Sequence, residues 1–158
     1  MIKTADIPRL IPHRPPFLFV DEIVEVDEHR IVTRTKVDPE WDFFRGHYPQ
    51  SPIMPGVLVC ECCFQAGALL IAQRIGRTNP EGRIPVITRI SDARFKRMVH
   101  PGDVLMTDVT LDDELDGAFY LTGRASVEES LAARVAFACI LAGSAASDAP
   151  MPAREGAG

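Results

Sequence analysis

One apolar segment, Pro55 to Ile75, constrains the fold more than anything else in the chain. Its only charged side chains are Glu61 and Arg74. Pro55 suits the first helical position, where its missing N–H costs nothing. Gly76 suits the stop. The pattern predicts one helix, apolar nearly all round, and such a helix has to be buried. The rest of the chain must therefore wrap it.

The flanking segments read as strands. "FLFVDEIVEV", Phe17 to Val26, is rich in branched and aromatic residues. In "RIVTRTKV", Ile31, Thr33, Thr35 and Val37 share one face, and Arg34 and Lys36 take the other. A short apolar turn or helix, Ile7 to Ile11, precedes them. After the helix, Ile84 to Val99 is a strand long enough to bend. "GAFYLTGRASV" alternates, with Phe119, Leu121, Gly123, Ala125 and Val127 on one face and Tyr120, Thr122, Arg124 and Ser126 on the other, and in "ARVAFACIL" Ala133, Val135, Phe137, Cys139 and Leu141 share a face in the same way. Asp116-Gly117 is a hairpin turn signal, and "EES" is a second tight turn. Two strands, a proline-rich loop, one helix and about four antiparallel strands need mutual cover. A curved antiparallel β-sheet wrapped around one central helix provides it. This is the α+β hot-dog arrangement.

A chain of 158 residues with 46% apolar residues supports one domain, read as 1–142, with a polar, proline-bearing tail over 143–158 expected to be disordered. A net charge of −5 argues against a nucleic-acid partner. The N-terminus carries several prolines and no continuous apolar run, which disfavours a secretory signal. Glu61 and Gln65 interrupt the one stretch long enough to span a membrane, so no membrane span is expected. The run Cys60, Cys62, Cys63 lacks the paired spacing of zinc ligands, and Cys139 stands apart. These read as buried free thiols, which fits a reducing cytoplasm, and no metal is expected.

The chemistry concentrates in "FFRGHYPQSPIMPGVLVCE", Phe43 to Glu61. A lone carboxyl on a buried helix either holds its proton or finds a partner. Protonated near neutrality, it is a general acid. His47 sits between Gly46 and Tyr48 in a loop stiffened by Pro49, Pro52 and Pro55. A loop histidine by itself is more often a hydrogen-bonding residue than a base. Gly56 adds a third element: the first turn of a helix leaves N–H groups free, and glycine lets a substrate oxygen approach them. Base, oxyanion donor and acid together suit proton removal beside a thioester carbonyl, followed by loss of a β-hydroxyl.

"PHRPPFLFVDEI", "FFRGHYPQSPIMPGVLVCECCFQAG" and "ARFKRMVHPGD" resemble, in that order, signature segments of the FabZ-type (3R)-hydroxyacyl-acyl-carrier-protein dehydratases. The resemblance spans roughly Ile7 to Leu141. It implies His47 as the catalytic base, Glu61 as the acid, and the Gly56 amide on the thioester carbonyl. It implies that Gln65 orients the acid or a water. Tyr48, read as a supporting residue, stands where the family more commonly has Phe. His13 and Arg14 also match and are read as structural, and Phe95 is read as either a tunnel wall or a core-packing residue. Glutamate rather than aspartate at 61 favours dehydration without double-bond isomerisation. No cofactor is implied beyond the phosphopantetheine arm that carries the substrate. The implied assembly is a dimer whose sites take the histidine from one chain and the acid from the other, three dimers making a hexamer.

Residues 74–97 hold seven cations against two anions. A basic patch suits an acidic acyl carrier protein, with Arg94, Lys96 and Arg97 as docking candidates; a solvated strand face is the plainer alternative. A hot-dog thioesterase would retain the helix acid and release free thiol. A non-catalytic acyl-binding subunit should have lost His47 or Glu61, and both are present.

Overall fold

The computed structural model describes residues 2–3, 7–76 and 82–143. In chain order the elements are β1 (Ile2–Lys3), β2 (Glu22–Val26), β3 (Arg30–Lys36), α1 (Gly56–Ile75), β4 (Ile84–Phe95), β5 (Val104–Leu115), β6 (Ala118–Val127) and β7 (Ser130–Ala142). Short 3₁₀ turns cover Ile7–Arg9 and Asp42–Arg45. All strand pairs are antiparallel, in one seven-stranded sheet of order β1-β2-β3-β5-β6-β7-β4. The sheet packs against α1, so the hot-dog arrangement holds.

Strand alternation builds the core. Val109, Leu121, Ala125, Val135 and Phe137 point inward beneath Cys63, Ala66, Leu69 and Leu70 of α1, all buried. Burying each larger aliphatic contributes about 1.5–3 kcal/mol. Glycine sets how close helix and sheet come. A Cβ at Gly123 would meet the Cys63 Cβ at 2.6 Å, and one at Gly67 would meet the Phe137 ring at 2.8 Å. Both hairpins use two-residue loops with positive φ at each position: Asp116 (52°) with Gly117 (77°), and Glu128 (49°) with Glu129 (65°). That geometry matches the twist of the flanking strands.

Three expectations need correction. The strand read over Ile84 to Val99 ends at Phe95. The strand read over Phe17 to Val26 is confined to Glu22–Val26. The backbone of Phe17 and Phe19 bonds instead to the side chain of Gln65 on the helix. Pro55 is the N-cap rather than the first helical residue: its ψ of 131° is extended, and its carbonyl accepts from the N–H of Leu58 and Val59. Gly76 does close the helix, with φ 37°. The expected tail lies, apart from Gly143, outside the described residues, as do Arg77 and Glu81 of the basic segment.

By length and composition α1 could cross a bilayer, yet 61% of its most apolar window is buried inside the fold. All four cysteines are free and buried. Burial pushes the Cys62 and Cys139 thiols up to about 12, so they stay protonated and pack as small hydrophobes. Among the described residues, no three His, Cys, Asp or Glu side chains gather as a metal site.

Aromatic rings brace the approach to the helix. Phe17, Phe19, Trp41, Phe43 and Phe44 touch in sequence, with centroids 5.3, 5.3, 5.5 and 4.6 Å apart. The chain of rings connects the segment bonded to Gln65 with the loop that carries His47. On the opposite side, β4 is an edge strand that exposes Val86, Ile90 and Phe95.

Candidate active site

His47 follows the 3₁₀ turn Asp42–Arg45, and its N–H donates to the Phe43 carbonyl at 2.9 Å. The imidazole Nδ1 lies 2.8 Å from the Ile53 carbonyl oxygen. A carbonyl only accepts, so Nδ1 carries the proton and Nε2 keeps its lone pair in the neutral ring. Tyr48 packs edge-on against the imidazole, with centroids 4.6 Å apart. Its φ of 54° lies in the left-handed region, a rare and costly place for a bulky residue. The Ser51 N–H, donating to the Tyr48 carbonyl at 2.8 Å, holds the turn. Residue Met54 then anchors the loop, its N–H donating to the Val99 carbonyl at 2.7 Å.

This loop forms one wall of a cavity of about 560 Å³, lined by His47, Gly56, Val59, Phe95, Lys96 and Met98 among others. Gly56 opens α1 there. A Cβ on it would stand 2.8 Å from the Phe95 ring, so glycine is what lets the ring lie across the helix start. No hydrogen bond from the Gly56 N–H is found among the described residues, as expected at a helix N-terminus.

Glu61 faces elsewhere and does not line this cavity. Five residues along a helix is a turn of about 140° from Gly56. The carboxyl points instead toward the N-terminal segment. Its Oε1 accepts from the Gln65 Nε2–H at 2.9 Å. Gln65 is fully buried. Its Nε2 also donates to the Phe17 carbonyl at 2.8 Å, and its Oε1 accepts the Phe19 N–H at 2.9 Å. The side chain one turn below the acid is thus fixed by two backbone bonds. Burial raises the Glu61 carboxyl above the usual carboxylate range, and the Gln65 bond partly offsets this. The structure therefore brings His47 and Gly56 together, brings Glu61 and Gln65 together, and keeps the two pairs on different faces of one chain.

Of the three docking candidates, two are already engaged. Arg94 pairs with Asp92 at 2.7 Å. Arg97 donates to the Val127 carbonyl at 2.9 Å and approaches Glu128 at 3.4 Å. Lys96 is exposed on the cavity wall, and its ammonium has no partner among the described residues. Arg134 also pairs with Asp92, which sits at φ 49° in a bulge of β4 opposite β7.

Sequence reasoning did not foresee one contact. His13, read as structural, has its Nε2 3.5 Å from the Glu61 Oε1. The only available signal was its place in the "PHRPPF" motif, which does not say what the ring faces.

Residues 11–136 match the FabA-like domain family. The chain is 38% identical over 143 residues to a 3-hydroxyacyl-acyl-carrier-protein dehydratase FabZ of Anaeromyxobacter dehalogenans, covering 90% of this chain and 92% of that one. It is 40% identical to the enzyme of the same name from Petrotoga mobilis, over 84% and 93% of the two chains. A chain of the dehydratase heterocomplex ApeI:P from Xenorhabdus doucetiae superposes with a TM-score of 0.74, covering 86% of this chain and 90% of that one. At 14% identity that likeness speaks for the fold alone. With such identity and coverage, this chain belongs to the 3-hydroxyacyl-acyl-carrier-protein dehydratase FabZ family, within the FabA-like domain family.

Proposed function

We propose that this chain dehydrates (3R)-3-hydroxyacyl thioesters carried on acyl carrier protein to trans-2-enoyl thioesters, as part of fatty-acid or related lipid biosynthesis. One observation carries the reading beyond family membership. Within one chain, a histidine with a free Nε2 shares a cavity with a helix N-terminus, and a carboxyl inclined to hold its proton lies on another face. The site becomes whole when a second copy brings its Glu61 to the first copy's His47.

In that site, His47 Nε2 takes the proton from C2 of the substrate. The electron pair moves onto the thioester carbonyl oxygen, which the Gly56 N–H stabilises. As the pair returns to form the C2–C3 double bond, the C3–O bond breaks. Glu61 of the second copy supplies the proton with which the hydroxyl leaves as water. The imidazolium then returns its proton through solvent, and every step reverses for hydration. Phe95 and Met98 give the acyl-pantetheine an apolar wall, and Tyr48 keeps the imidazole in place.

The carrier docks on the rim through Lys96, with Arg94 and Arg97 lending positive field rather than free donors. Three dimers form the hexamer. The test is to supply 3-hydroxyacyl thioesters on carrier protein and follow enoyl product in the wild type beside Glu61→Gln. Enoyl product that disappears in the variant supports dehydration. Free thiol without enoyl product would replace it with thioester hydrolysis, and acyl binding without turnover would make the chain a binding subunit.

A further inference from the structure

His13 stands between the 3₁₀ turn Ile7–Arg9 and Phe17, outside the cavity that His47 lines. Two observations single it out. Its Nε2 is 3.5 Å from the Glu61 oxygen that already accepts the Gln65 N–H at 2.9 Å. Its Nδ1 is buried with no hydrogen-bond partner among the described residues. A buried N–H without an acceptor is rarer and costlier than a buried acceptor left idle. The ring proton therefore belongs on Nε2, facing Glu61. Arg14 fixes the backbone of this segment, its Nη1 donating to the Ile11 carbonyl at 2.9 Å and the His13 carbonyl at 2.7 Å. Burial first, and then the Arg14 charge, lower the basicity of His13, so the ring is neutral and offers one N–H.

We propose that His13 is a positioning residue for Glu61: with Gln65 it aims two N–H donors at Oε1 and leaves Oε2 as the oxygen that carries the transferable proton. A proton on Oε1 would confront both donors, whereas on Oε2 it confronts neither. The acid is thereby presented in one orientation, with its proton on the oxygen that neither donor engages. The 3.5 Å separation closes to a hydrogen bond when substrate and the second copy confine the carboxyl. The inference rests on the dehydratase reading for its catalytic consequence, but not for the contact itself.

The test uses two substitutions in the full-length protein. His13→Phe keeps the ring shape and removes the donor. His13→Gln places an amide N–H where Nε2 now stands. His13→Phe should lower kcat by roughly ten- to a hundredfold, the worth of one hydrogen bond to a charged group, with KM within about twofold. His13→Gln should recover most of kcat. Added to Glu61→Gln, His13→Phe should cost nothing further, because the two residues act as a unit.

A wild-type kcat in His13→Phe overturns the proposal. So does an equal loss in both variants, or a full additional loss in the Glu61→Gln background. If His13→Phe does not fold, His13→Asn replaces it: the amide falls short by one methylene, so only Gln should restore turnover, and equal activity in Asn and Gln overturns the proposal. If the wild type dehydrates nothing, the functional reading fails separately. The contact is then tested by ¹³C NMR titration of the Glu61 carboxyl in wild type and variant. The other titratable groups in this environment are Arg14 beside His13, and Cys60, Cys62 and Asp21, since the Cys62 thiol senses Glu61, Cys60 and Asp21 together. Losing the donor should move the Glu61 midpoint upward, and an unchanged midpoint overturns the proposal.

Discussion

Glu61 is 17% exposed, tied to Gln65, and through it to the backbone of Phe17 and Phe19. His47, by contrast, rides a surface loop beside Tyr48, which is 63% exposed, and looks into an open cavity. The acid is built into the core of its own chain. His47 is held just as firmly at Nδ1, by the Ile53 carbonyl, and no acidic side chain lines its cavity among the described residues. Under the proposed mechanism, an exposed loop and a buried helix divide one reaction. The loop supplies shape and a free lone pair, and the helix supplies a carboxyl that burial pushes toward its protonated form. On that reading neither is sufficient, and Val57, Phe95 and Met98 are the exposed apolar side chains around the cavity that a second copy would meet.

The largest effect should come from removing either reacting group. His47→Ala and Glu61→Gln should each lower kcat by about 10²–10⁴-fold, measured as enoyl formation. They should then diverge in stability. His47→Ala touches a loop, whereas Glu61→Gln removes a titrating carboxyl from the helix.

Gln65→Leu attacks the core side of the contrast. It strands the Phe19 N–H and the Phe17 carbonyl, each worth about 1–3 kcal/mol when left unsatisfied. Chemical denaturation should show that loss, and turnover should fall with it because Glu61 loses its anchor. A Gln65→Leu protein of full stability would break the view that the acid half is anchored through the core.

The glycines sharpen the same division. Gly123→Ala forces a Cβ against Cys63, whose own Cβ is fixed to the helix backbone, and should cost about 1–3 kcal/mol with little direct effect on the site. Gly56→Ala meets the Phe95 ring, which is 54% exposed and can swing aside. It should therefore spare stability and lower kcat/KM by narrowing the cavity.

The smallest effect concerns pH. Burial places the folded Glu61 pKa above its unfolded value. Its contribution to stability is then fully present below the unfolded pKa and is lost as pH rises through the folded one. Near neutral pH, Glu61→Gln should melt slightly higher than wild type, and the gap should close in mild acid. A variant that melts lower at both pH values would mean that the anion, not the acid, is what the fold favours.

The candidate residues were more legible than the contacts that position them. His47, Gly56 and Glu61 lie in one short motif, whose order and spacing carry the family resemblance. The hairpins at Asp116-Gly117 and Glu128-Glu129 were equally plain, because turn chemistry is local. Phe17 to Asp21 misled, since apolar β-formers normally pair with a strand. Here two of those backbone groups bond to Gln65, more than forty residues away, and no pattern along the chain records that bond. The approach of His13 to Glu61 is hidden for the same reason. The ring contacts of Trp41 with Phe19 and Phe43 exist only once the 3₁₀ turn Asp42–Arg45 folds back.

The claim that matters most is that one site is made by two chains. The direct measurement is complementation: co-express His47→Ala with Glu61→Gln under separate tags, purify the mixed assembly, and assay enoyl formation. A shared site predicts recovery to about half of wild-type activity if the purified assembly is a dimer, since every dimer is then mixed and holds one intact site, and to about a quarter if it is a hexamer of randomly paired dimers. An assembly that contains both tags yet stays as inactive as either parent would place His47 and Glu61 in the same chain's site and contradict the account.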